Sequence, residues 1–235
     1  MRMFASLVPP RPALDDLETA LAELPSAEEE VPALRWVPAH QRHITLAFHG
    51  EVPDQEAERI RAELAALAAA TPSPILRLAG AGVFSDRVLW AGVQTRGPWC
   101  ASSPGPAGTT LDPLVELMIA CRDVVSEDRL RSRPGAEVPG PDDSAASAAP
   151  AAPVPAEGSS GSDSPAEDPV PHLTLARSPR RGVGIEQIRR RAEELADYAG
   201  PEWRAGELLL MRSQLGAGPR GTAHHTVVAE LPLAG

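Results

Sequence analysis

Two short segments of the chain repeat one pattern: a histidine, an aliphatic residue, then Thr-Leu-Ala. The copies begin at His43 and at His172. Apolar residues that alternate with polar ones predict β-strands, in which successive side chains point to opposite faces. We therefore expect His43 and Thr45 to share one face, as do His172 and Thr174, roughly 6–7 Å apart along each strand. The aliphatic residues between them are expected to point into a core.

Two such strands at one cleft would surround a phosphate with two imidazoles and two hydroxyl donors. Histidine has an ordinary pKa of about 6.5, so one imidazole can accept a proton while the other donates one. Acid–base cleavage of a phosphodiester requires this combination. A single His-x-Thr is commonly structural, whereas two copies with matching apolar positions favour a functional pair. A third match, at His224-His225-Thr226, lacks the Leu-Ala continuation and is interpreted as a strand edge.

The negative charge of the chain is concentrated in one stretch, residues 133–169. The chain has 235 residues and a formal net charge of −10, from 32 acidic residues and 22 basic ones, all of them arginine. Of the 37 residues in this stretch, 27 are Pro, Gly, Ala or Ser and seven are acidic, and its charge of −6 leaves −4 for the rest. Such a segment cannot bury enough apolar surface to offset its ordering entropy. We expect a disordered insertion within one domain; a linker between two domains is the alternative.

The remaining sequence alternates predicted strands and helices, which indicates an α/β protein of the α+β kind. A Gly- and Pro-rich loop is predicted at 97–110. The predicted helices cover 12–24, 53–70, 113–130 and 185–198, and the predicted strands cover 3–8, 43–48, 75–83, 88–93, 172–175, 207–215 and 226–231.

Several functional classes are excluded by what the sequence lacks. No apolar run approaches the ~18–20 residues that cross a bilayer, so no membrane partner is expected. Cys100 and Cys121 form neither a Cys-x-x-Cys pair nor a disulfide framework, which favours the cytoplasm. The net negative charge argues against a protein that coats nucleic acid through a broad positive surface. No metal-binding motif or P-loop is present, so neither a metal nor a nucleotide cofactor is expected.

The repeated motif and its surroundings resemble the two-histidine (2H) phosphoesterases, in particular the RNA 2′,3′-cyclic phosphodiesterases historically called 2′-5′ RNA ligases. The resemblance includes Arg35-Trp36-Val37-Pro38 before the first motif and Phe48-His49-Gly50 after it. It extends over most of the chain apart from 97–110 and 133–169. Further similar segments lie at 4–10, 82–93, 171–177 and 213–233.

The resemblance implies one bilobal domain over residues 1–235. In that fold, two antiparallel sheets with outer helices flank a central cleft. It also implies hydrolysis of a terminal RNA 2′,3′-cyclic phosphate to a 2′-phosphate, without metal or cofactor. RNA ends are the implied partner, the protein is expected to be a monomer, and reversal of cleavage would give 2′-5′ ligation as a side activity.

Roles for the motif residues follow from the same resemblance. His43 would protonate the 3′ leaving oxygen, and His172 would take a proton from the attacking water. Thr45 and Thr174 would donate hydrogen bonds to the phosphate oxygens.

The resemblance also assigns the residues five positions after each histidine. Arg177 would hold the phosphate oxygens, and Phe48 would stack on the terminal base. Both lie an odd number of steps from their histidines, so a bend or bulge must turn them to the same face. A surface cation and a core aromatic are the respective alternatives.

Three other functions remain open on the sequence alone. The chain could act on a small cyclic phosphate instead of RNA, or bind phosphorylated RNA ends without turnover. A metal site built from His43, His172 and His225 is the third possibility.

Overall fold

The computed structural model describes residues 1–24, 34–96, 112–131, 169–178, 184–218 and 223–235, with the backbone alone for 125–131. The predicted loop at 97–110 and residues 133–168 of the predicted insertion lie outside the described residues.

Four α-helices of the described chain form close to where the sequence predicts them. Proline starts two of them, since Pro10 precedes the first and Pro53 the second. Asp112 caps the third, because its carboxylate accepts a hydrogen bond from the Leu114 backbone N–H at 2.8 Å. Among the described helices, none is long and apolar enough to span a membrane. The helices are α1 (Arg11–Glu23), α2 (Asp54–Ala70), α3 (Pro113–Arg131) and α4 (Ile185–Glu194).

Nine β-strands accompany the helices within the described ranges, and all seven predicted strands are among them. Two further strands were not predicted because each has only two residues, too few to show an alternating pattern. The strands are β1 (Arg2–Leu7), β2 (Arg35–Trp36), β3 (Ile44–Glu51), β4 (Ile75–Phe84), β5 (Val88–Arg96), β6 (His172–Arg177), β7 (Trp203–Arg204), β8 (Glu207–Gln214) and β9 (His224–Pro232).

The strands form one curled antiparallel sheet in the order β7-β4-β5-β6-β3-β1-β8-β9, with β2 paired to β6. The predicted mixed α/β fold is thus confirmed, but the implied two sheets are joined into one. The junction is a single registered pair, Ile44 of β3 opposite Leu173 of β6. Four strands of the main order lie on each side of it, so the two histidine strands occupy the centre of the sheet.

One face of the sheet is covered by helices and contains the main core. Helices α2 and α3 pack on the half that carries β3. In the other half, α4 packs against β4 and β5, and α1 packs against β4. Ile44, Leu46, Leu173 and Leu175 are all buried, as predicted for the aliphatic positions of the motif. The motif histidines and threonines therefore belong to the opposite face.

Candidate active site

The two histidines lie diagonally across the centre of the sheet. Each immediately precedes one member of the central pair, Ile44 or Leu173. Continuing this antiparallel register by one residue places His43 opposite Thr174 and Thr45 opposite His172. Diagonal neighbours in such a pair are about 7–8 Å apart, which leaves room for a phosphate between the imidazoles. The structure therefore brings together both copies of the predicted motif.

Both imidazoles are held by the same local hydrogen bond. Nδ1 of His43 donates to the Gln41 carbonyl at 2.9 Å, and Nδ1 of His172 donates to the Val170 carbonyl at 2.8 Å. A carbonyl can only accept, so Nδ1 carries the proton in each ring. Nε2 is consequently the atom that each histidine can use to accept or donate a proton in the cleft.

The free site favours neutral imidazoles at pH 7. Burial lowers the pKa of His43 to about 4; the hydrogen bond to Gln41 opposes this, and the charges of His225, Arg177 and His172 add to it. Burial also lowers the pKa of His172, and Arg177 adds to that effect. Desolvation is thus the largest cause of the lowered pKa of both histidines, and Arg177 is a smaller cause that the two share.

Two β-bulges turn positions 48 and 177 to the face of the sheet that carries the histidines. In β3, Ala47 pairs with Ala5 and Thr45 with Ser6, so one residue is skipped between them. In β6, the pairing skips Leu175 in the same way. Each bulge falls at the Leu-Ala step of its motif, and both residues of each step are buried. The next residue in each strand returns to the face of the histidines, as the sequence required.

Arg177 and Phe48 occupy these redirected positions. Arg177 is exposed and lies close enough to lower the pKa of both His43 and His172. The Phe48 side chain is 67% exposed, with its ring 5.8 Å from that of Phe4. A ring this exposed is not part of the core, which excludes the alternative that Phe48 is a core aromatic.

Aromatic rings from neighbouring strands support each histidine. The Phe4 ring lies 4.9 Å from His43, and the Phe84 ring lies 4.9 Å from His172, with Trp90 beyond it at 6.2 Å. Sequence reasoning assigned no role to these residues, because β1, β4 and β5 are remote from the motifs along the chain.

Two further polar groups beside the threonines were also missed. Ser6 pairs with Thr45 across β1 and β3, and Trp90 pairs with Thr174 across β5 and β6. The Ser6 hydroxyl and the Trp90 indole N–H are shielded from solvent and have no hydrogen-bond partner among the described residues. Directly opposed residues share a face of the sheet, so each half of the site has an extra donor beside its threonine.

The third match to the motif, His224-His225-Thr226, lies on β9, the strand at one edge of the sheet, as predicted. One of its two histidines, His225, nevertheless reaches the site. The His225 ring packs edge-on against His43 at 5.2 Å and against Phe4 at 5.1 Å. A cavity of about 330 Å³ adjoins this contact. It is lined by Val8, His40, Gln41, Arg42, His43, Met211, His224 and His225.

Within the described part of the chain, no three His, Cys, Asp or Glu side chains are arranged to hold a metal ion. The alternative of a metal held by His43, His172 and His225 therefore has no geometric support. Cys121 of α3 is a buried thiol in the main core, and burial raises its pKa to about 12. It takes no part in the site.

Part of the sequence is similar to known phosphoesterases. Residues 8–90 match the family described as LigT like Phosphoesterase. An RNA 2′,3′-cyclic phosphodiesterase of Geobacillus stearothermophilus is 38% identical over 72 residues, which are 29% of this chain and 23% of that protein. The chain thus spans about a quarter of the length of this curated relative.

Solved structures extend the likeness to the whole fold. The protein TT0787 of Thermus thermophilus is 24% identical with a TM-score of 0.60, over 100% of this chain and 99% of that one. Apo LigT of E. coli is 21% identical with a TM-score of 0.58, over 100% and 98% of the two chains. LigT has also been solved with 3′-AMP and with phosphate. The chain therefore shares the fold of LigT, and its residues 8–90 are similar in sequence to the LigT-like phosphoesterases.

Proposed function

We propose that this protein hydrolyses a terminal RNA 2′,3′-cyclic phosphate to a 2′-phosphate and a 3′-hydroxyl. The observation that carries the proposal is the matched pair of imidazoles at the centre of the sheet. Each has its Nδ1 proton fixed on a backbone carbonyl and its Nε2 left for proton transfer. The curated relative named for this activity supports the choice of substrate.

The proposed reaction uses the two histidines in opposite protonation states. His172 takes a proton from water as the water oxygen bonds to phosphorus. The bond between phosphorus and O3′ breaks, and His43 gives its proton to O3′, so one water molecule is consumed and no other reactant is needed. The bound phosphodiester is anionic, which favours the imidazolium form of His43 that this step requires.

The neighbouring donors stabilise the charge that develops on the phosphate. Thr45 and Thr174 donate hydrogen bonds to its oxygens, and the Arg177 guanidinium, close to both imidazoles, binds the same oxygens. Phe48 offers an exposed ring on which the terminal base stacks. With an RNA 5′-hydroxyl in place of water, His172 would take the hydroxyl proton as its oxygen bonds to phosphorus, the bond to O3′ would break, and the product would be a 2′-5′ linkage, as a side activity.

The test is incubation with an RNA oligomer that ends in a 2′,3′-cyclic phosphate. We expect a product with an added mass of one water. Substituting either histidine by alanine should lower kcat by about 10²–10⁴-fold while the melting temperature changes little. Thr226→Ala is the matched control, because it removes the threonine of the third His-x-Thr sequence, outside the site. Full activity of either folded histidine variant would overturn the mechanism.

A further inference from the structure

The cavity of about 330 Å³ beside His43 has no assigned occupant. Its walls come from Val8, which follows β1, from the turn before β3, and from β8 and β9, all in the half of the sheet that carries His43. No described residue of β5 or β6 contributes to it. A group bound there would therefore contact the phosphate site from the His43 side only.

The lining suits a neutral, flat, polar ring better than a phosphate. Arg42 carries the only permanent charge among the described lining residues, and it is buried and paired with Glu18. Its Nε also donates to the Val37 carbonyl at 3.0 Å. Val8 and Met211 supply apolar surface, and burial keeps His225 neutral at pH 7 by lowering its pKa.

One lining residue has an unused hydrogen-bonding atom. Nδ1 of His225 is shielded from solvent and has no partner among the described residues. The ring is fixed by its edge-on contacts with Phe4 and His43. Because this atom is not exposed in the cavity, a ligand there would contact the part of the His225 side chain that lines the cavity and not Nδ1.

We propose that this cavity is a second base-binding subsite, which takes the nucleoside that precedes the cyclic-phosphate nucleotide. The inference rests on the proposed function. Phe4 contacts both Phe48 and His225, so the two base sites flank one aromatic ring. Imidazole rings stack on bases and hydrogen-bond to their edges, as single-stranded RNA recognition requires. The subsite would make the protein prefer oligonucleotides to mononucleotides.

The test compares kcat/KM for a dinucleotide ending in a 2′,3′-cyclic phosphate with that for the matching mononucleotide. Stacking of one base predicts an advantage for the dinucleotide of about tenfold or more. In a His40→Ala, His224→Ala variant this ratio should fall several-fold, and both side chains are exposed, so the fold should be retained. Val228→Ala, an exposed position of β9 outside the cavity, is the control and should keep the wild-type ratio.

A dinucleotide whose first nucleotide is abasic separates base binding from phosphate binding. Loss of the advantage with the abasic substrate supports the subsite; retention of it would show that a phosphate is recognised, which overturns the proposal. A ratio near one in the wild type, unchanged in the double variant, also overturns it.

A binding experiment keeps this inference distinct from the proposed function. Imidazole NMR signals of His40 and His225 should shift when an uncleavable dinucleoside monophosphate is added to the wild-type protein. Absence of hydrolysis with these shifts present would refute the proposed activity but not the subsite. Hydrolysis without the shifts would refute the subsite alone.

Discussion

Acidification should destabilise the folded protein through His43. The folded protein holds the pKa of His43 at about 4, against an ordinary value of 6.5, chiefly because burial desolvates the imidazole. Between these two pH values the unfolded chain binds more protons than the folded one, so the free energy of unfolding falls as pH falls. The lowered pKa of His43 accounts for about 3 kcal/mol of the free energy of unfolding at pH 7. The protein loses this stability progressively below pH 6.5 and completely below about pH 4.

Urea unfolding at pH 7, 5.5 and 4 measures this effect if wild type is compared with His43→Gln. Glutamine does not titrate, whereas the other histidines with lowered pKa values, His172 and His225, remain in both proteins. The wild type should therefore lose about 3 kcal/mol more than the variant between pH 7 and pH 4. Thr45→Ala, which keeps His43, should follow the wild type. Equal pH dependence in wild type and His43→Gln would refute the conclusion that His43 is buried and neutral.

Four further outcomes are expected. Arg177→Gln should lower kcat/KM by about 10²–10³-fold without unfolding, measured by steady-state kinetics, whereas a merely surface role would leave it unchanged. Phe48→Ala should raise KM about tenfold while the melting temperature is maintained, because the ring is exposed. Gly82→Val should lower kcat and alter the near-UV circular dichroism, because a Cβ at this position would collide with the Trp90 ring that lies over it. Exhaustive chelation should leave the rate unaltered, and a rate restored only by added metal would contradict a two-histidine reaction.

The sequence predicted the elements that depend on local patterns. Alternation placed the strands, and proline and aspartate placed the starts of the helices near Pro53 and Asp112. Positions 48 and 177 lie an odd number of residues after their histidines, and this spacing also predicted a bulge in each strand. The pairings of β3 and β6 each contain a bulge at the Leu-Ala step. These features depend on neighbouring residues, so the order of residues alone was sufficient to predict them.

Features that depend on contacts between distant segments could not be predicted in this way. The joining of two expected sheets into one depends on the single pair Ile44–Leu173, separated by most of the chain. His225 was interpreted as a strand edge, which is correct, but its packing on His43 follows from β9 and β1 both pairing with β8. The Phe84 and Trp90 rings reach His172 by the same kind of long-range pairing, for which the sequence contains no local signal.

The most direct test of the proposed mechanism is the position of the phosphate in the product. An RNA ending in a 2′,3′-cyclic phosphate is incubated with wild type, His43→Ala and His172→Ala, and the product is compared by chromatography with authentic 2′- and 3′-phosphate standards. We predict a 2′-phosphate product from the wild type, with both variants folded and about 10²–10⁴-fold slower. A 3′-phosphate product, or turnover by either folded variant at close to the wild-type rate, would contradict the assignment of the two histidines as the acid and base of the reaction.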